Sequence, residues 1–412
     1  MKTDVREPER QTLAEPRTRW WERVSPAVVG AVVAAALAVW STRGAWGGWL
    51  PAGEDVPAHL LRFDVGISQL VAHGRLDGWF SRNYLGYQEF LFQGPGLTWA
   101  VAAVRGATLG MLSNPGGIKV IGVLSFAAVP VAMAFVARSL GLGRLAAGIA
   151  AVLALLISSP VGVGLQGIYL WGLLPNQVGA VFFLLSLGAL MRIPVDPRRR
   201  WMLLAAVSLA ALTITHLISL IVLAAFLAIL AFGVRRELLR RDVLVRLALT
   251  AALAFGLAAF WLVPALAHRD LAGPAAAWPT PPFGDRVDEI VDGRILLRPY
   301  TFWLVAAGWL YGLTRVRRWR FALVLVLAPA VYLVLAHWAS SRWPNEYTLQ
   351  LANRGLGYAG LLAILPLAAL LAAGARLVGR WLRGRAWAAP TVVAGALALA
   401  AVIVLSDRKS VV

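Results

Sequence analysis

The sequence predicts an all-α polytopic integral membrane protein with about 11 transmembrane helices. Its 412 residues are 59% hydrophobic and only 14% charged, and their mean hydropathy is +0.71. Soluble domains carry about 25% charged residues, so this chain has too few polar groups to cover a surface exposed to water. Its apolar runs are separated by short Arg-rich clusters, which is the pattern of membrane helices and their cytoplasmic connections.

The net charge of +19 does not indicate a nucleic-acid partner, because the Arg residues are spread between apolar runs and do not form one basic face. Membrane lipids are the expected surroundings. The chain has no Cys, which excludes disulfides, thiolate catalysis and Cys metal sites. No phosphate-binding loop and no Gly-rich dinucleotide motif is present, so ATP-driven transport and dinucleotide chemistry lack a sequence signal.

The first helix is predicted to begin at Ser25-Pro26, a hydroxyl N-cap followed by Pro, and the basic residues before it place the N-terminus in the cytoplasm. The run 201–234 would be roughly 51 Å long as one helix, against a hydrocarbon core of about 30 Å. Because both its ends are basic, it is predicted to be a hairpin that bends near His216. The other predicted spans are 118–137, 145–158, 178–191, 247–266, 302–314, 321–338, 355–377 and 388–405.

The apolar segment 96–112 is not predicted to cross the membrane. Arg105 near its middle would cost roughly 2.5–3.5 kcal/mol at the bilayer centre. Thr98, Arg105 and Thr108 fall on one helical stripe, as an interfacial helix requires. With this segment in the outer interface, the C-terminus is extracytoplasmic.

These assignments divide the chain into five parts. They are a cytoplasmic polar N-terminus (1–24), a transmembrane module with a long extracytoplasmic loop at 41–117 (25–266), a second extracytoplasmic loop (267–298), C-terminal transmembrane helices (299–406), and residues 407–412. The last six residues match one reading frame of a common sequencing adapter. We therefore expect them to be an artefact and the natural protein to continue past Ser406.

The long outer loop carries the strongest local signal. Asp55, His59 and Arg62 are spaced i, i+4 and i+7, so on a helix they share one face. That face is expected to point toward the membrane surface just after the first span. A carboxylate at this position could meet a lipid-linked substrate.

The loop resembles the GT-C superfamily of integral-membrane glycosyltransferases, and most closely the bacterial membrane proteins labelled 6-pyruvoyl-tetrahydropterin-synthase-related. The residues that carry this resemblance are Asp55, His59, Gly74, Trp79, Gly86, Phe92, Gly94 and Pro95, followed by Ser159-Pro160, His216 in a short hairpin, and Gln350 with Arg354 opening a late span. Two features depart from the pattern. Gln93-Gly94-Pro95-Gly96 replaces an aromatic-Pro-Pro turn, and Gly355 stands where an aromatic residue is common, which leaves the subfamily open.

The resemblance implies inverting transfer of a hexose or pentose from a polyprenyl-phosphate donor to a glycan or lipid acceptor of the cell envelope. The reaction would take place on the extracytoplasmic face of a bacterial cytoplasmic membrane. Asp55 is then the candidate general base and His59 its partner, while Arg354 and Arg62 are candidates for binding the donor phosphate. Further candidates are Glu54, His216 and Gln350.

Each of these residues also has a structural interpretation. Asp55 could cap its helix, Arg354 could be an interfacial anchor, His59 could be a buried structural histidine, and His216 could cap backbone groups in the hairpin bend. No cofactor is predicted. A divalent metal is possible at Glu54, Asp55 and His59, although their spacing is not diagnostic.

Two other functions stay open from the sequence. A secondary transporter would place ionisable residues inside its spans, and the predicted spans are almost free of acids. A non-catalytic membrane component of polysaccharide assembly is opposed only by the clustered polar residues of the first outer loop.

Overall fold

The computed structural model describes residues 25–48, 53–74, 90, 93–159, 162–233, 238–269, 280–296, 299–314, 320–382 and 388–407. Within these ranges the regular structure is helical, and the β pairing is one isolated antiparallel bridge between Ser158 and Leu296. The helices, in chain order, are α1 (Pro26–Ser41), α2 (Val56–His73), α3 (Gly96–Ala107), α4 (Asn114–Ser139), α5 (Arg144–Leu153), α6 (Gly164–Tyr169), α7 (Leu174–Arg192), α8 (Arg199–Thr215), α9 (Leu217–Gly233), α10 (Arg241–Ala267), α11 (Phe283–Val291), α12 (Pro299–Thr314), α13 (Arg320–Arg342), α14 (Glu346–Ala363), α15 (Leu365–Trp381) and α16 (Ala388–Asp407).

Four helical stretches in the described part are long and apolar enough to cross a membrane. They are α4, α7, α10 and the run Tyr347–Trp381 that α14 and α15 form together. Shorter apolar helices lie at Pro26–Ser41, Arg144–Leu156, Leu217–Ala231 and Pro390–Val402. The prediction of an all-α polytopic membrane protein is confirmed, and the number of 11 crossings stays a prediction.

Helix α5 is the centre of the bundle. Every residue from Ala146 to Leu153 is buried, although the helix is only ten residues long. It packs against α1, α4, α15 and α16. Small residues such as Ala34 and Ala38 on α1 are fully buried and let the helix axes approach closely, as is common for helices in membranes.

Helix α10 lies at the edge of the bundle and shows why a membrane is needed around it. Val243, Thr250, Ala254, Ala258 and Trp261 form one buried stripe at helical spacing. Beyond the charged first turns, many of its other side chains are apolar and exposed, including those of Leu249, Phe255 and Phe260. Such a surface suits lipid contact.

A group of aromatic side chains fixes the helices beneath the outer loop. Phe226 on α9 stacks on Tyr332 of α13, with ring centroids 4.4 Å apart. Phe183 on α7 packs on Tyr358 of α14 at 4.6 Å. These contacts hold α7, α9 and α14 in fixed positions relative to one another, and all three carry residues of the site described below.

The run 201–234 breaks into two helices at His216, so the predicted bend is confirmed. His216 has φ −156° and ψ 88°, which ends α8, and α9 begins at the next residue. Helix α3 covers only part of the segment predicted as interfacial. Thr98 is buried and Arg105 Nη1 donates to Asn114 Oδ1 at 2.9 Å, so this polar stripe faces protein. The depth of α3 in the membrane stays a prediction.

The sequence leaves 160–177 and 339–353 as outer loops between predicted spans, and the structure places helices in both. The region predicted as an outer loop at 339–353 is almost filled by α13 and α14, because an Asn345–Thr348 capping box starts α14 early. Gln350 and Arg354 lie in the N-terminal half of α14, within the run Tyr347–Trp381 that is long and apolar enough to cross a membrane. The loop predicted at 160–177 contains α6 and the start of α7.

Several predictions fall on residues outside the described ranges. These are the cytoplasmic N-terminus at 1–24, the motif residues Trp79, Gly86 and Phe92, Pro160, and residues 408–412 of the predicted artefact.

Candidate functional site

Helix α2 carries the first three candidate residues. Asp55 is its N-cap residue and Pro57 lies in its first turn, where a missing backbone N–H is tolerated. Val56, His59, Phe63 and Ile67 make one buried stripe, which packs on α3 and α4. The i, i+4, i+7 spacing of Asp55, His59 and Arg62 therefore does place them along one side of a helix.

Backbone hydrogen bonds hold the start of α2 against the loop before α7. Asp55 N donates to Trp171 O at 2.9 Å, and Glu54 N donates to Leu170 O at 3.3 Å. His59 adds a side-chain bond, from Nε2 to Gly172 O at 3.2 Å. Asp55 is thus held in place by its own backbone N–H, by that of Glu54 before it and by the side chain of His59 after it.

His59 is a neutral histidine at pH 7. Its side chain is buried and stacks on Phe63, with ring centroids 6.0 Å apart. Burial is the main reason that the pKa of His59 is lowered to about 4; the positive charge of Arg62 acts in the same direction and the bond with Gly172 in the opposite one. Because Gly172 O can only accept, the proton of the neutral ring lies on Nε2.

Five of the seven candidate residues line one cavity of about 310 Å³. They come from three separate parts of the chain and are Asp55, His59, Arg62, His216 and Arg354. Glu54 is exposed and does not line this cavity. Gln350 does not line it either, but its Oε1 accepts a hydrogen bond from Arg354 Nε at 3.1 Å and so orients that guanidinium.

The Asp55 carboxylate makes no side-chain capping hydrogen bond, although it occupies the N-cap position. The capping interpretation therefore does not describe its geometry. Its charge instead acts on Arg354 of α14, which lines the same cavity. The cavity brings together one carboxylate and two guanidiniums from helices that are far apart in sequence.

His216 does not cap backbone groups with its side chain, contrary to the structural interpretation above. Its Nδ1 contacts Ser219 Oγ on α9. Ser219 Oγ contacts the hydroxyl of Tyr358, which lies one helical turn after Arg354 on α14. The break between α8 and α9 thus turns an imidazole toward α14.

The Gly94-Pro95-Gly96 turn forms another wall of the cavity. A Cβ on Gly94 would lie 1.9 Å from Ile214 O, at the end of α8. Backbone therefore packs on backbone here, just before His216, and a side chain at position 94 has no room. This contact gives a physical reason for Gly at position 94. Trp261 Nε1 on α10 holds the same loop by donating to Phe90 O at 2.9 Å.

The candidate metal ligands do not form a metal site in the described residues. His59 Nε2 is occupied by Gly172 O, and Glu54 is exposed. No group of three or more His, Asp or Glu side chains close enough to hold an ion lies within the described ranges. The acidic stretch at 285–292 forms α11, where Glu289 pairs with Arg286 at 2.8 Å.

Sequence reasoning missed three further residues of this region, which are Asn176, Thr215 and Tyr358. Asn176 and Thr215 line the cavity, and Tyr358 is fully buried beside it. A signal for Asn176 was present, because Pro175-Asn176-Gln177 puts two amides in the first turn of an otherwise apolar helix. Thr215 and Tyr358 have no comparable signal.

The described helices and the cavity define a polytopic helical membrane protein. Among solved structures, the chain is similar to the oligosaccharyltransferase of Archaeoglobus fulgidus, a member of the GT-C superfamily. The crystal structure with a tethered acceptor peptide matches with a TM-score of 0.61 and 14% identity, over 95% of this chain and 55% of that chain. The same archaeal enzyme, AglB, in complex with an inhibitory peptide and a dolichol-phosphate, matches with a TM-score of 0.62 and 15% identity, over 95% and 56%.

These similarities establish the fold. The chain spans about half the length of the oligosaccharyltransferases that it matches. No protein-family model matches the sequence, and no curated protein sequence is significantly similar to it.

Proposed function

We propose that the protein is a glycosyltransferase that moves a sugar from a polyprenyl-phosphate donor to a cell-envelope acceptor on the extracytoplasmic face of a bacterial cytoplasmic membrane. The observation that carries this proposal is the cavity that Asp55, Arg62 and Arg354 line together, with the charge of Asp55 acting on Arg354. The GT-C fold supports it, and one of the structures with this fold contains a dolichol-phosphate. The resemblance to the pterin-synthase-related bacterial proteins is part of the proposal, because Asp55, His59, Gly94 and His216 all line this cavity.

The two arginines suit the phosphate of the donor. A guanidinium binds a phosphate through charge-assisted and often bidentate hydrogen bonds. Arg354 is held by Gln350, so its planar group is already oriented. Its charge is balanced in part by Asp55, and a bound phosphate would give it a second anionic partner.

Asp55 suits the role of general base. In an inverting transfer, the acceptor hydroxyl attacks the anomeric carbon while Asp55 takes the hydroxyl proton. The bond from the anomeric carbon to the phosphate oxygen breaks, and its electron pair leaves with the polyprenyl phosphate. Arg354 and Arg62 then stabilise the negative charge of this leaving group.

His59 fits the role of a positioning residue. Its bond to Gly172 joins α2 to the loop before α7, which fixes the N-terminal end of α2 where Asp55 lies. A direct contact of His59 with the acceptor is not needed for this role.

The test is binding of farnesyl phosphate, a short soluble donor mimic, to the purified protein in detergent micelles. Arg354→Gln should weaken binding by roughly 10- to 150-fold, equivalent to about 1.5–3 kcal/mol for a lost hydrogen bond between charged groups. Arg105→Gln is the matched control, because Arg105 is bonded to Asn114 outside the cavity, and it should change the affinity less than about twofold. Absence of binding by the wild-type protein would contradict the proposed donor and favour the transporter or scaffold functions.

A further inference from the structure

A chain of hydrogen bonds connects three helices at the inner wall of the cavity. It runs from His216 at the start of α9, through Ser219, to Tyr358 on α14 and Asn176 on α7. His216 and Asn176 line the cavity, whereas Ser219 and Tyr358 are buried behind them. None of these four side chains has a role in the base and phosphate chemistry proposed above.

The direction of the hydrogen bonds follows from the number of protons. Tyr358 has one hydroxyl proton, and it lies 3.1 Å from the backbone oxygen of Asn176 and 3.3 Å from Oδ1, both of which can only accept. Ser219 must therefore donate its single proton to the Tyr358 hydroxyl. The remaining contact then requires His216 Nδ1 to donate to Ser219 Oγ.

This order fixes the tautomer of His216. With the proton on Nδ1, Nε2 of the neutral ring carries a lone pair and can only accept a hydrogen bond. Nδ1 points toward Ser219, behind the wall, so Nε2 on the other side of the ring is the nitrogen nearest the cavity. No partner for Nε2 is found among the residues that the structure describes.

Asn176 offers a hydrogen-bond donor, whereas His216 offers an acceptor. Its Oδ1 accepts from Tyr358, and its Nδ2 is buried without a partner in the described part of the chain. The residue is 1% exposed and lines the cavity. A buried N–H group without an acceptor is costly, so this amide is a ready donor for a ligand. Gly179, one turn later, leaves room for the hydrogen-bonded side chains, because a Cβ there would lie 2.9 Å from Ser219 Oγ.

We infer that this wall binds hydroxyl groups of the transferred sugar, with Asn176 Nδ2 as a donor to them and His216 Nε2 as an acceptor from them. The inference rests on the proposed function. The phosphodiester of a sugar-bearing lipid carries no proton at neutral pH, so its oxygens only accept hydrogen bonds and would meet the lone pair of His216 unfavourably. A sugar hydroxyl both donates and accepts, and it matches both groups.

The test compares farnesyl phosphate with farnesyl phosphates that carry a β-linked glucose, mannose or arabinose. The wild-type protein should bind at least one of the sugar-bearing lipids more tightly than the bare phosphate. Asn176→Ala should reduce this preference about three- to tenfold, as expected for one hydrogen bond between uncharged groups. Its affinity for bare farnesyl phosphate should stay within about twofold of wild type.

His216→Asn is the second variant, because an Asn amide can replace Nδ1 as the donor to Ser219 but has no atom at the place of Nε2. It should also lose the preference for the sugar and retain binding of the bare phosphate. Asn176→Ala should fold, since Tyr358 keeps the backbone oxygen of residue 176 as an acceptor. Ser186→Ala is the matched control, because this buried serine on α7 bonds to Ser208 outside the cavity, and its preference should equal that of wild type.

Four outcomes would overturn the inference. Equal wild-type affinity for bare and sugar-bearing lipids would show that the wall does not bind sugar. If Asn176→Ala weakened the binding of bare and sugar-bearing lipids equally, the amide would contact the phosphate or be needed for folding. Asn176→Ala and His216→Asn could both keep the wild-type preference for the sugar-bearing lipid, while Arg354→Gln weakens the binding of every ligand. That result would overturn this inference and leave the proposed function standing. No binding of any ligand by wild type would overturn both.

Discussion

Acidification should destabilise the protein through His59, and a glutamine at this position should remove that effect. In the folded protein burial lowers the pKa of His59 to about 4 from an ordinary value of 6.5. The unfolded chain therefore binds a proton between these pH values that the folded protein does not bind. It follows that the free energy of unfolding is unaffected by this group above pH 6.5 and falls as the pH drops toward 4.

The magnitude follows from the difference between the two pKa values. Protonation of His59 should cost about 3 kcal/mol in total, of which about 2.5 kcal/mol is reached at pH 4.5. His59→Gln keeps an amide N–H near the position of Nε2, so it can still donate to Gly172. It does not titrate. It should therefore be less sensitive to acid than wild type, even if it is less stable at neutral pH.

The assay is chemical unfolding in detergent micelles at pH 7.5 and pH 4.5, for wild type and variant. Wild type and variant share all their other titrating groups. The difference between their losses of unfolding free energy from pH 7.5 to pH 4.5 therefore reports on His59 alone. His73→Gln serves as the matched control, because His73 ends the same helix and is exposed, and it should behave as wild type. If wild type and His59→Gln lost the same free energy between the two pH values, the account of a buried neutral His59 would be wrong.

Three other predictions concern packing and topology. Gly94→Ala should cost about 1–3 kcal/mol of stability, because its Cβ would overlap a backbone carbonyl of α8; a stability equal to wild type would mean that the turn is not packed there. Arg286→Met should cost about 1–3 kcal/mol, because Arg286 is 6% exposed and its hydrogen bonds to Glu289 and Asn353 would be lost. Arg294→Met, at an exposed ion pair, should cost less than about 1 kcal/mol, and equal losses would contradict this account. A Cys introduced at exposed Ala58 should react with an impermeant thiol reagent in intact cells and a Cys at exposed Pro197 should not; the reverse would overturn the proposed orientation.

The membrane fold could be predicted from the sequence because its cause is local. Apolar runs between Arg clusters define helices one at a time, and the break at His216 follows from the length of the run around it. The start of α14 could not be placed in this way. It depends on the capping box of Asn345 and Thr348, a short polar motif that a hydropathy profile does not detect.

The candidate site could be predicted in part. The grouping of Asp55, His59 and Arg62 follows from helical spacing, which is also local. His216 and Arg354 entered only through the resemblance to known membrane glycosyltransferases. Nothing in a single sequence reports that residues from α2, α9 and α14 meet, because such contacts depend on how the helices pack.

The hydrogen-bonded wall of the cavity could not be predicted from the sequence either. Tyr358 lies in an apolar helix, and its sequence neighbours give no sign that its hydroxyl faces Asn176 on α7. Buried polar side chains in a membrane bundle require partners, but a sequence alone does not say which partners these are.

The most direct test of the central claim is single-turnover transfer of radiolabelled sugar from a polyprenyl-phosphate donor to acceptor in membranes. Asp55→Asn keeps the shape of the side chain and removes its basic oxygen, so transfer should slow by about 10²- to 10⁴-fold while the donor still binds. Glu54→Gln is the matched control, because this neighbouring carboxylate is exposed and outside the cavity; it should transfer sugar at the wild-type rate. Full transfer activity in Asp55→Asn would contradict the assignment of Asp55 as the general base.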